Sequence, residues 1–166
     1  MDMPLCTACI STALILLVSA NGAPVLTRTL LGSRYEWSVD GGIKLGDGQA
    51  LFGSAKTWRG LIASVCVTVG VGLALEMEPL QAGLFAVLAM LGDLSASFCK
   101  RRIGKIESSR ARGFDTLPES MLPLLVFKGQ LGLSGIDIVL TIGLFFLIEE
   151  FVSPLLYKWH IRQRPY

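Results

Sequence analysis

The sequence contains few charged residues for its length. Only 17% of its 166 residues are charged, against about a quarter in a soluble domain of ordinary composition. Hydrophobic residues make up 52% of the chain, they come in long runs, and the mean hydropathy is +0.58. This composition argues against a soluble domain and indicates an integral membrane protein. The net charge of +2 is small, so the placement of charge carries more information than its sum.

Ligands for a structural zinc ion are also scarce. Cys6 and Cys9 form a CxxC motif, but no second CxxC accompanies it, and the single histidine is His160, near the other end of the chain. A structural zinc site needs four cysteine or histidine ligands. We therefore interpret Cys6 and Cys9 as small apolar residues of the first membrane helix, and we expect His160 to lie at the membrane surface.

Five hydrophobic runs predict an all-α integral membrane protein of one domain with about five transmembrane helices. A helix needs about 20 residues to cross a bilayer. The first run follows no basic segment and has no clear cleavage site, so we expect a retained helix. We expect it to end or break at Asn21-Gly22-Ala23-Pro24, because proline and glycine interrupt helices. The predicted spans are about 5–21, 59–76, 80–99, 118–133 and 136–157, with polar loops at 32–58 and 100–117.

Lysine and arginine fall almost entirely on one side of this arrangement. Fourteen of the 15 lie in or beside the two polar loops and in the C-terminal tail, and the other, Lys128, lies within the fourth predicted span. Positive residues favour the cytoplasmic side of a membrane. The pattern therefore predicts a multi-pass protein of the cell (inner) membrane, with its N-terminus outside and its polar loops and C-terminus in the cytoplasm. The opposite side carries only acids: Asp2, Glu76, Glu78 and Asp137.

The stretch from Gly92 to Ser120 combines acids with a dense basic segment. A carboxylate at membrane depth is costly, so Asp93 is expected to have a partner or a task. On a helix, Asp93, Ser97 and Lys100 share one face. The alternative is that Asp93 reaches the cytoplasmic surface and pairs there with a neighbouring cation. The six cations of the segment are Lys100, Arg101, Arg102, Lys105, Arg110 and Arg112.

Two more carboxylates, Asp115 and Glu119, lie four residues apart at the start of the fourth run. They would suit a helix N-terminus by themselves, because its dipole favours negative charge. With Asp93, however, they offer three carboxylates near a basic segment. Mg²⁺ takes oxygen ligands, commonly one or two carboxylates together with substrate phosphates. We therefore predict that Asp93, Asp115 and Glu119 bind Mg²⁺.

A smaller basic group precedes the second run. Lys56 and Arg59 lie where a helix begins, and backbone N–H groups at a helix start attract anions. The alternative is that both residues only anchor the helix at the cytoplasmic face. Gly48 and Gly53 superficially resemble a P-loop, but Ala55 takes the place of the glycine that must precede the lysine. We therefore predict phosphate binding without a Walker A motif.

Three charged residues fall inside predicted spans: Lys128, Glu149 and Glu150. We expect a buried ion pair between the fourth and fifth helices. The alternative is a pathway for protons or other ions.

The two charged blocks together resemble the CDP-archaeol synthase family, which is related to the CDP-diglyceride synthetases. The resemblance covers about residues 20 to 125. The CDP-alcohol phosphotransferases are a poorer match, because no Ala-Arg follows Asp40-Gly41 as their signature requires. The matching residues are Asn21-Gly22-Ala23-Pro24, Asp40-Gly41-Gly42 with Lys44, Asp47-Gly48, Phe52-Gly53, Lys56-Thr57-Trp58-Arg59-Gly60, Gly92-Asp93, Ser97-Phe98, Lys100-Arg101 and Asp115.

The resemblance implies an Mg²⁺-dependent enzyme that transfers a cytidylyl group from CTP to a membrane lipid phosphate, either a phosphatidate or an ether-lipid phosphate. It implies a membrane-bound site, and we expect no nucleic-acid partner. The family's acidic pair is Asp-x-x-Asp, whereas here Pro118 takes the second position and Glu119 follows. The competing hypothesis is a divergent, non-catalytic lipid-binding or transport protein of the same fold. The predicted catalytic residues are Asp93, Asp115, Lys56 and Arg59, and the predicted substrate-binding residues are Lys100, Arg101, Ser97 and Lys44.

Overall fold

The structure, a computed structural model, describes residues 5–104 and 114–158, with side chains as far as Val152. Within these ranges the chain forms five helices and no strand, which confirms the all-helical class. Two of the described helices, α1 and α3, are long and apolar enough to cross a membrane, and α2 is a shorter apolar helix. The helices are α1 (Thr7–Leu31), α2 (Trp58–Ala74), α3 (Pro79–Arg102), α4 (Thr116–Val126) and α5 (Gly135–Lys158).

Helices α1 and α3 lie at the centre of the bundle. Helix α1 packs against α2, α3 and α5, while α3 also packs against α2 and α4, and α4 packs against α5. The core between them is apolar, and each large side chain removed from solvent there contributes about 1.5–3 kcal/mol. Many other large apolar side chains point outwards, as a helix bundle in lipid requires. The core includes Leu16, Leu17, Phe85, Leu124 and Phe145.

Helix α1 runs on for ten residues beyond the predicted end at residue 21, so the expected break at Asn21-Gly22-Ala23-Pro24 is wrong. The polar side chains of this stretch bond within the helix: Asn21 donates to the Leu17 carbonyl at 3.1 Å. Pro24 packs against Gly60 of α2, where an added Cβ would lie 3.3 Å from the Pro24 Cβ. Close packing of this kind offsets the hydrogen bond that proline removes.

Helix α4 is shorter than the predicted fourth span of 118–133. It ends at Val126, and the chain turns from Phe127 to Gly132. Gly132 has a positive φ of 66°, which glycine adopts without strain. The apolar composition continues through this turn, which is why hydropathy extended the span too far.

The expected ion pair between Lys128 and the acids of α5 is also wrong. Lys128 lies exposed in the turn after α4, whereas Glu149 accepts a hydrogen bond from Thr116 at the start of α4, at 2.7 Å. The 11-residue helix α4 separates Thr116 from the turn that holds Lys128, and it spans about 16 Å, given a rise of about 1.5 Å per residue. The lysine and these acids therefore lie at opposite ends of α4.

The two N-terminal cysteines form a disulfide, which corrects their interpretation as separate apolar residues. One helical turn brings the Cα atoms of Cys6 and Cys9 to 5.2 Å, within the range that a disulfide spans. The Cys6 amide also donates to Asp137 at the start of α5, at 3.3 Å. The disulfide therefore lies where α1 and α5 begin, at the end of the bundle away from the basic segments.

Candidate active site

The closest contact between predicted site residues joins Lys56, just before α2, to Asp93 of α3. The Lys56 Nζ lies 2.6 Å and 2.5 Å from the two carboxylate oxygens of Asp93. The side chains are 26% and 21% exposed, respectively. Burial by itself would lower the pKa of Lys56, but the charge and hydrogen bonds of Asp93, helped by the charges of Glu119 and Asp115, leave that pKa raised. Lys56 is therefore an ammonium group held by the Asp93 carboxylate.

A second lysine–aspartate pair joins the last turn of α3 to the start of α4. The Lys100 Nζ lies 2.8 Å and 2.9 Å from the two carboxylate oxygens of Asp115. Lys100 and its neighbour Arg101 are both buried. Glu119, one turn into α4, is buried too, and its Oε1 accepts no hydrogen bond from the described residues. These acids and cations lie where α3 meets α4, and we refer to them as the charged cluster. It consists of Lys56, Asp93, Lys100, Arg101, Asp115 and Glu119.

Gly92 explains how α4 comes so close to α3. A Cβ at this position would overlap the carbonyl group of Pro118 and the backbone of Glu119. The backbones of the two helices are therefore in direct contact, one residue from Asp93. Only glycine permits this approach, because every other residue carries a Cβ.

The loop from residue 32 to 57 is organised by the buried carboxylate of Asp40, which is 4% exposed. It accepts hydrogen bonds from the backbone N–H groups of Gly42, Phe52 and Gly53 at 3.0, 3.0 and 2.9 Å. Burial by itself would raise the pKa of Asp40. The hydrogen bonds from these three N–H groups and from Ser38 lower that pKa by more, so the net shift is downward. Asp40 is thus ionised at neutral pH and holds together two distant parts of the loop.

Two arginines attach this loop to the helices. Arg59 of α2 donates to the carbonyl groups of Gly32 (2.8 Å) and Arg34, and to Glu36 at 2.8 Å. Arg102 of α3 donates to Asp47 at 2.6 Å and to the Ala50 carbonyl at 2.7 Å. The loop therefore lies across the same end of the bundle as the two lysine–aspartate pairs.

A cavity of about 80 Å³ lies beneath the loop. Ligand pockets usually measure about 300–1,000 Å³, so a nucleotide can enter only if the loop or its ion pairs move apart. Both charged and apolar side chains line the cavity. Its lining includes Arg28, Glu36, Lys56, Arg59, Asp93 and Met90.

The structure brings some predicted site residues to this cavity and leaves others away from it. Lys56, Arg59 and Asp93 line it, and Lys100 and Asp115 pair nearby. Ser97 is buried one turn along α3, and Lys44 is exposed on the loop; neither lines the cavity. The remaining predicted surface and basic-loop residues, His160, Lys105, Arg110 and Arg112, lie outside the described residues.

No group of three histidine, cysteine or acidic side chains in the described part of the chain stands close enough to hold a metal ion. Asp93 and Asp115 each contact a lysine instead. The Mg²⁺ set of Asp93, Asp115 and Glu119 therefore stays a prediction.

Sequence reasoning missed Arg28 and Glu36, which line the cavity. It also missed the role of Asp40, although its Asp-Gly-Gly sequence indicates a turn. Glu149 stood out as an acid within an apolar run, but its contact with Thr116 was not foreseen. Nothing in the spacing of Glu36 distinguishes it from any other loop acid.

The comparisons with known proteins agree with one another. A CDP-archaeol synthase of Methanosphaerula palustris is 31% identical over 137 residues, covering 72% of this chain and 79% of the relative. One of Methanoculleus marisnigri is 35% identical over 136 residues with the same coverage. One of Thermococcus onnurineus is 39% identical over 109 residues, covering 59% of this chain and 61% of the relative. No protein-family model matches the sequence.

A solved structure of an intramembrane enzyme for archaeal membrane lipids biosynthesis has a similar fold. Its TM-score is 0.66 and its sequence identity 26%, over 84% of this chain and 91% of that one. Sequence and fold thus lead to one conclusion: the chain belongs to the CDP-archaeol synthase family.

Proposed function

We propose that this protein transfers a cytidylyl group from CTP to the phosphate of a membrane lipid, giving a CDP-activated lipid and pyrophosphate. The observation that carries the proposal is the charged cluster at one end of an apolar helix bundle, where Lys56 pairs with Asp93 and Lys100 with Asp115. Relatives named CDP-archaeol synthase support this reaction and an ether-lipid phosphate as acceptor.

The chemistry requires neutralisation and positioning more than a reactive side chain. An oxygen of the lipid phosphate attacks the α-phosphorus of CTP, and the bond from that phosphorus to the oxygen bridging to the β-phosphorus breaks. Pyrophosphate leaves with the bonding electrons. The nucleophile is already ionised, since the second pKa of a phosphate monoester is about 6. Lys56, Arg59 and Lys100 are placed to offset the repulsion between the two anionic reactants and to align them.

We propose Mg²⁺ as the cofactor, held by Asp93, Asp115 and Glu119. One observation fits this set: the buried Glu119 Oε1 accepts no hydrogen bond from the described residues. Carboxylate oxygens are the donors that Mg²⁺ takes in proteins. When bound, the ion would stabilise the charge on the transferred phosphate groups. Lys56 and Lys100 keep the acids in place without it.

The transport alternative loses its structural basis. It rested on Lys128, Glu149 and Glu150 as an ion pathway inside the bundle. Lys128, however, is exposed in a turn, and Glu149 bonds with Thr116 beside the charged cluster. Glu149 therefore belongs to the same end of the molecule as the proposed active site.

The activity has a direct test. Purified protein in detergent micelles, given CTP labelled at the α-phosphate, Mg²⁺ and an ether-lipid phosphate, is expected to form labelled CDP-lipid and one pyrophosphate per turnover. The same lipid without its phosphate should give no product, and chelation of Mg²⁺ should abolish turnover. Comparing kcat/KM for ether-linked and ester-linked acceptors assigns the lipid class. Wild-type protein that is inert towards every lipid phosphate supplied would refute the proposal.

For the topology, we propose five crossings with the N-terminus outside and the active site at the cytoplasmic face of the cell membrane. The basic residues near the loop and the site support this orientation. The disulfide between Cys6 and Cys9 at the other end supports it too, because disulfides persist mainly outside the reducing cytosol.

Cysteine labelling checks the orientation. In a variant whose four natural cysteines are replaced by alanine, Glu78→Cys and Asp47→Cys each introduce one exposed thiol, at opposite ends of the bundle. In right-side-out membrane vesicles, an impermeant maleimide is expected to label Glu78→Cys at once and Asp47→Cys only after detergent is added. The opposite labelling order would show that the protein has the reverse orientation. Immediate labelling of both thiols would show that the two positions do not lie on opposite sides of the membrane.

A further inference from the structure

Glu36 contacts two arginines on the wall of the cavity. Its Oε1 lies 2.8 Å from the Arg59 Nη2 and 4.0 Å from the Arg28 Nε. The Arg59 side chain is 7% exposed, whereas those of Glu36 and Arg28 are 42% and 48% exposed. A well-buried cation is thus matched by an acid that is open to solvent on one side.

Arg59 keeps its position without Glu36. Its Nη1 donates to the carbonyl groups of Gly32 and Arg34, which belong to the backbone just after α1. The planar guanidinium group is therefore fixed by these two bonds, and Nη2 is directed towards the carboxylate. Another anion could take the place of Glu36 without moving the arginine.

Apolar side chains line the same cavity beside the arginines. They are Pro24 of α1, Leu61 of α2, and Met90 and Leu94 of α3. The cavity thus places a pair of arginines next to apolar side chains from three helices. A phosphate group attached to hydrocarbon chains matches both the charged and the apolar part of this lining.

We propose that Arg28 and Arg59 bind the phosphate of the acceptor lipid, and that Glu36 occupies this site until the lipid phosphate displaces it. The proposal rests on the cytidylyltransferase function above and assigns one of its two substrates to a site. Glu36 reaches both arginines with a single oxygen. A phosphate presents three terminal oxygens, so it can bond each arginine through a different one and form stronger charge-assisted hydrogen bonds.

Steady-state kinetics separate the two substrates. Arg28→Gln is expected to raise KM for the lipid phosphate roughly tenfold, as expected for the loss of one charge-assisted hydrogen bond. It should leave KM for CTP within about twofold of the wild-type value. Arg28→Lys keeps the positive charge but loses the planar guanidinium group with its paired donors. Its KM for the lipid phosphate should therefore lie between those of wild type and Arg28→Gln. Arg34→Gln removes a nearby exposed loop cation and serves as the matched control, with no change in either KM.

Glu36→Gln tests the displacement. Removing the competing charge is expected to lower KM for the lipid phosphate about three- to tenfold, since the phosphate no longer has to displace an anion. A carboxylate that only stabilises the loop would give the contrary result, with KM raised for both substrates. The two roles of Glu36 therefore predict changes of opposite sign.

Binding without turnover provides the second readout. With CTP omitted, an ether-lipid phosphate is expected to raise the melting temperature of wild-type protein more than it does for Arg28→Gln, while the dephosphorylated lipid raises neither. CTP alone should stabilise wild type and Arg28→Gln equally. If Arg28→Gln weakens CTP instead, or weakens neither ligand in an active enzyme, the lipid assignment is overturned. Absence of product from wild-type protein would instead refute the function.

Discussion

Asp93→Asn is expected to lower kcat by at least about a thousandfold, because the variant loses a carboxylate from the charged cluster around the transferred phosphate. The substitution is nearly isosteric, so the geometry of α3 is retained. It also leaves Lys56 without its closest anion. Removing one partner of a buried ion pair costs up to about 3–5 kcal/mol of stability, which is as large as the roughly 4 kcal/mol that a thousandfold change in rate represents. Turnover measured well below the melting temperature of the variant separates the two effects.

Two further variants complete this experiment. Glu78→Gln removes an acid from the opposite end of α3 and should retain wild-type activity and stability. Combining Asp93→Asn with Lys56→Met removes both members of the pair. The double variant is expected to regain part of the lost stability and none of the lost activity. Near wild-type turnover of Asp93→Asn alone, measured where the variant is fully folded, would mean that Asp93 has no direct part in the reaction.

Gly92→Ala is expected to reduce activity at least about a hundredfold, because misplacing reacting groups by about 1 Å has effects of that size. The added methyl group would overlap the Pro118 carbonyl and the Glu119 backbone, and neither can rotate away. Helix α4 must therefore shift, and Asp115 and Glu119 shift with it. Overpacking of this kind typically costs about 1–3 kcal/mol, and occasionally more. Thermal unfolding and turnover are measured on the same preparation.

Gly83→Ala is the matched control, since Gly83 lies on the same helix. A Cβ there would meet only the Val69 side chain at 3.5 Å, which is an ordinary contact. Alanine is favoured over glycine inside a helix by about 0.5–1 kcal/mol, so this variant should be as active as wild type and slightly more stable. Gly92→Ala with normal activity would show that the approach of α3 and α4 does not position the acids.

The helices that the sequence predicts best are those whose ends coincide with a change in composition. Helices α2, α3 and α5 begin and end within three residues of the predicted runs. Helix α1 does not, because Asn21-Gly22-Ala23-Pro24 carries a local tendency to break a helix that packing of Pro24 against Gly60 overrides. That contact joins residues 36 positions apart, and no local pattern reports it.

The same difference between local patterns and long-range contacts decides which site residues the sequence predicts. Asp93 and Lys56 attract attention because each is a charge beside an apolar run, and that is a local feature. Glu36 meets Arg59 across 23 positions and Asp47 meets Arg102 across 55, through a loop without periodicity. The fold of that loop depends on a single buried carboxylate, Asp40, whose three N–H partners cannot be identified from their spacing.

The contact between Lys56 and Asp93 has a consequence for how ligands bind. A phosphate that engages Lys56 must separate it from Asp93, and a cation at Asp93 must separate it from Lys56. Whichever ligand arrives first bears the cost of breaking the pair, and the second binds without it. The affinities of the two oppositely charged ligands should therefore be positively cooperative, and the cooperativity must be reciprocal. An enzyme of this kind would stay nearly empty when only one ligand is present and fill steeply when both are.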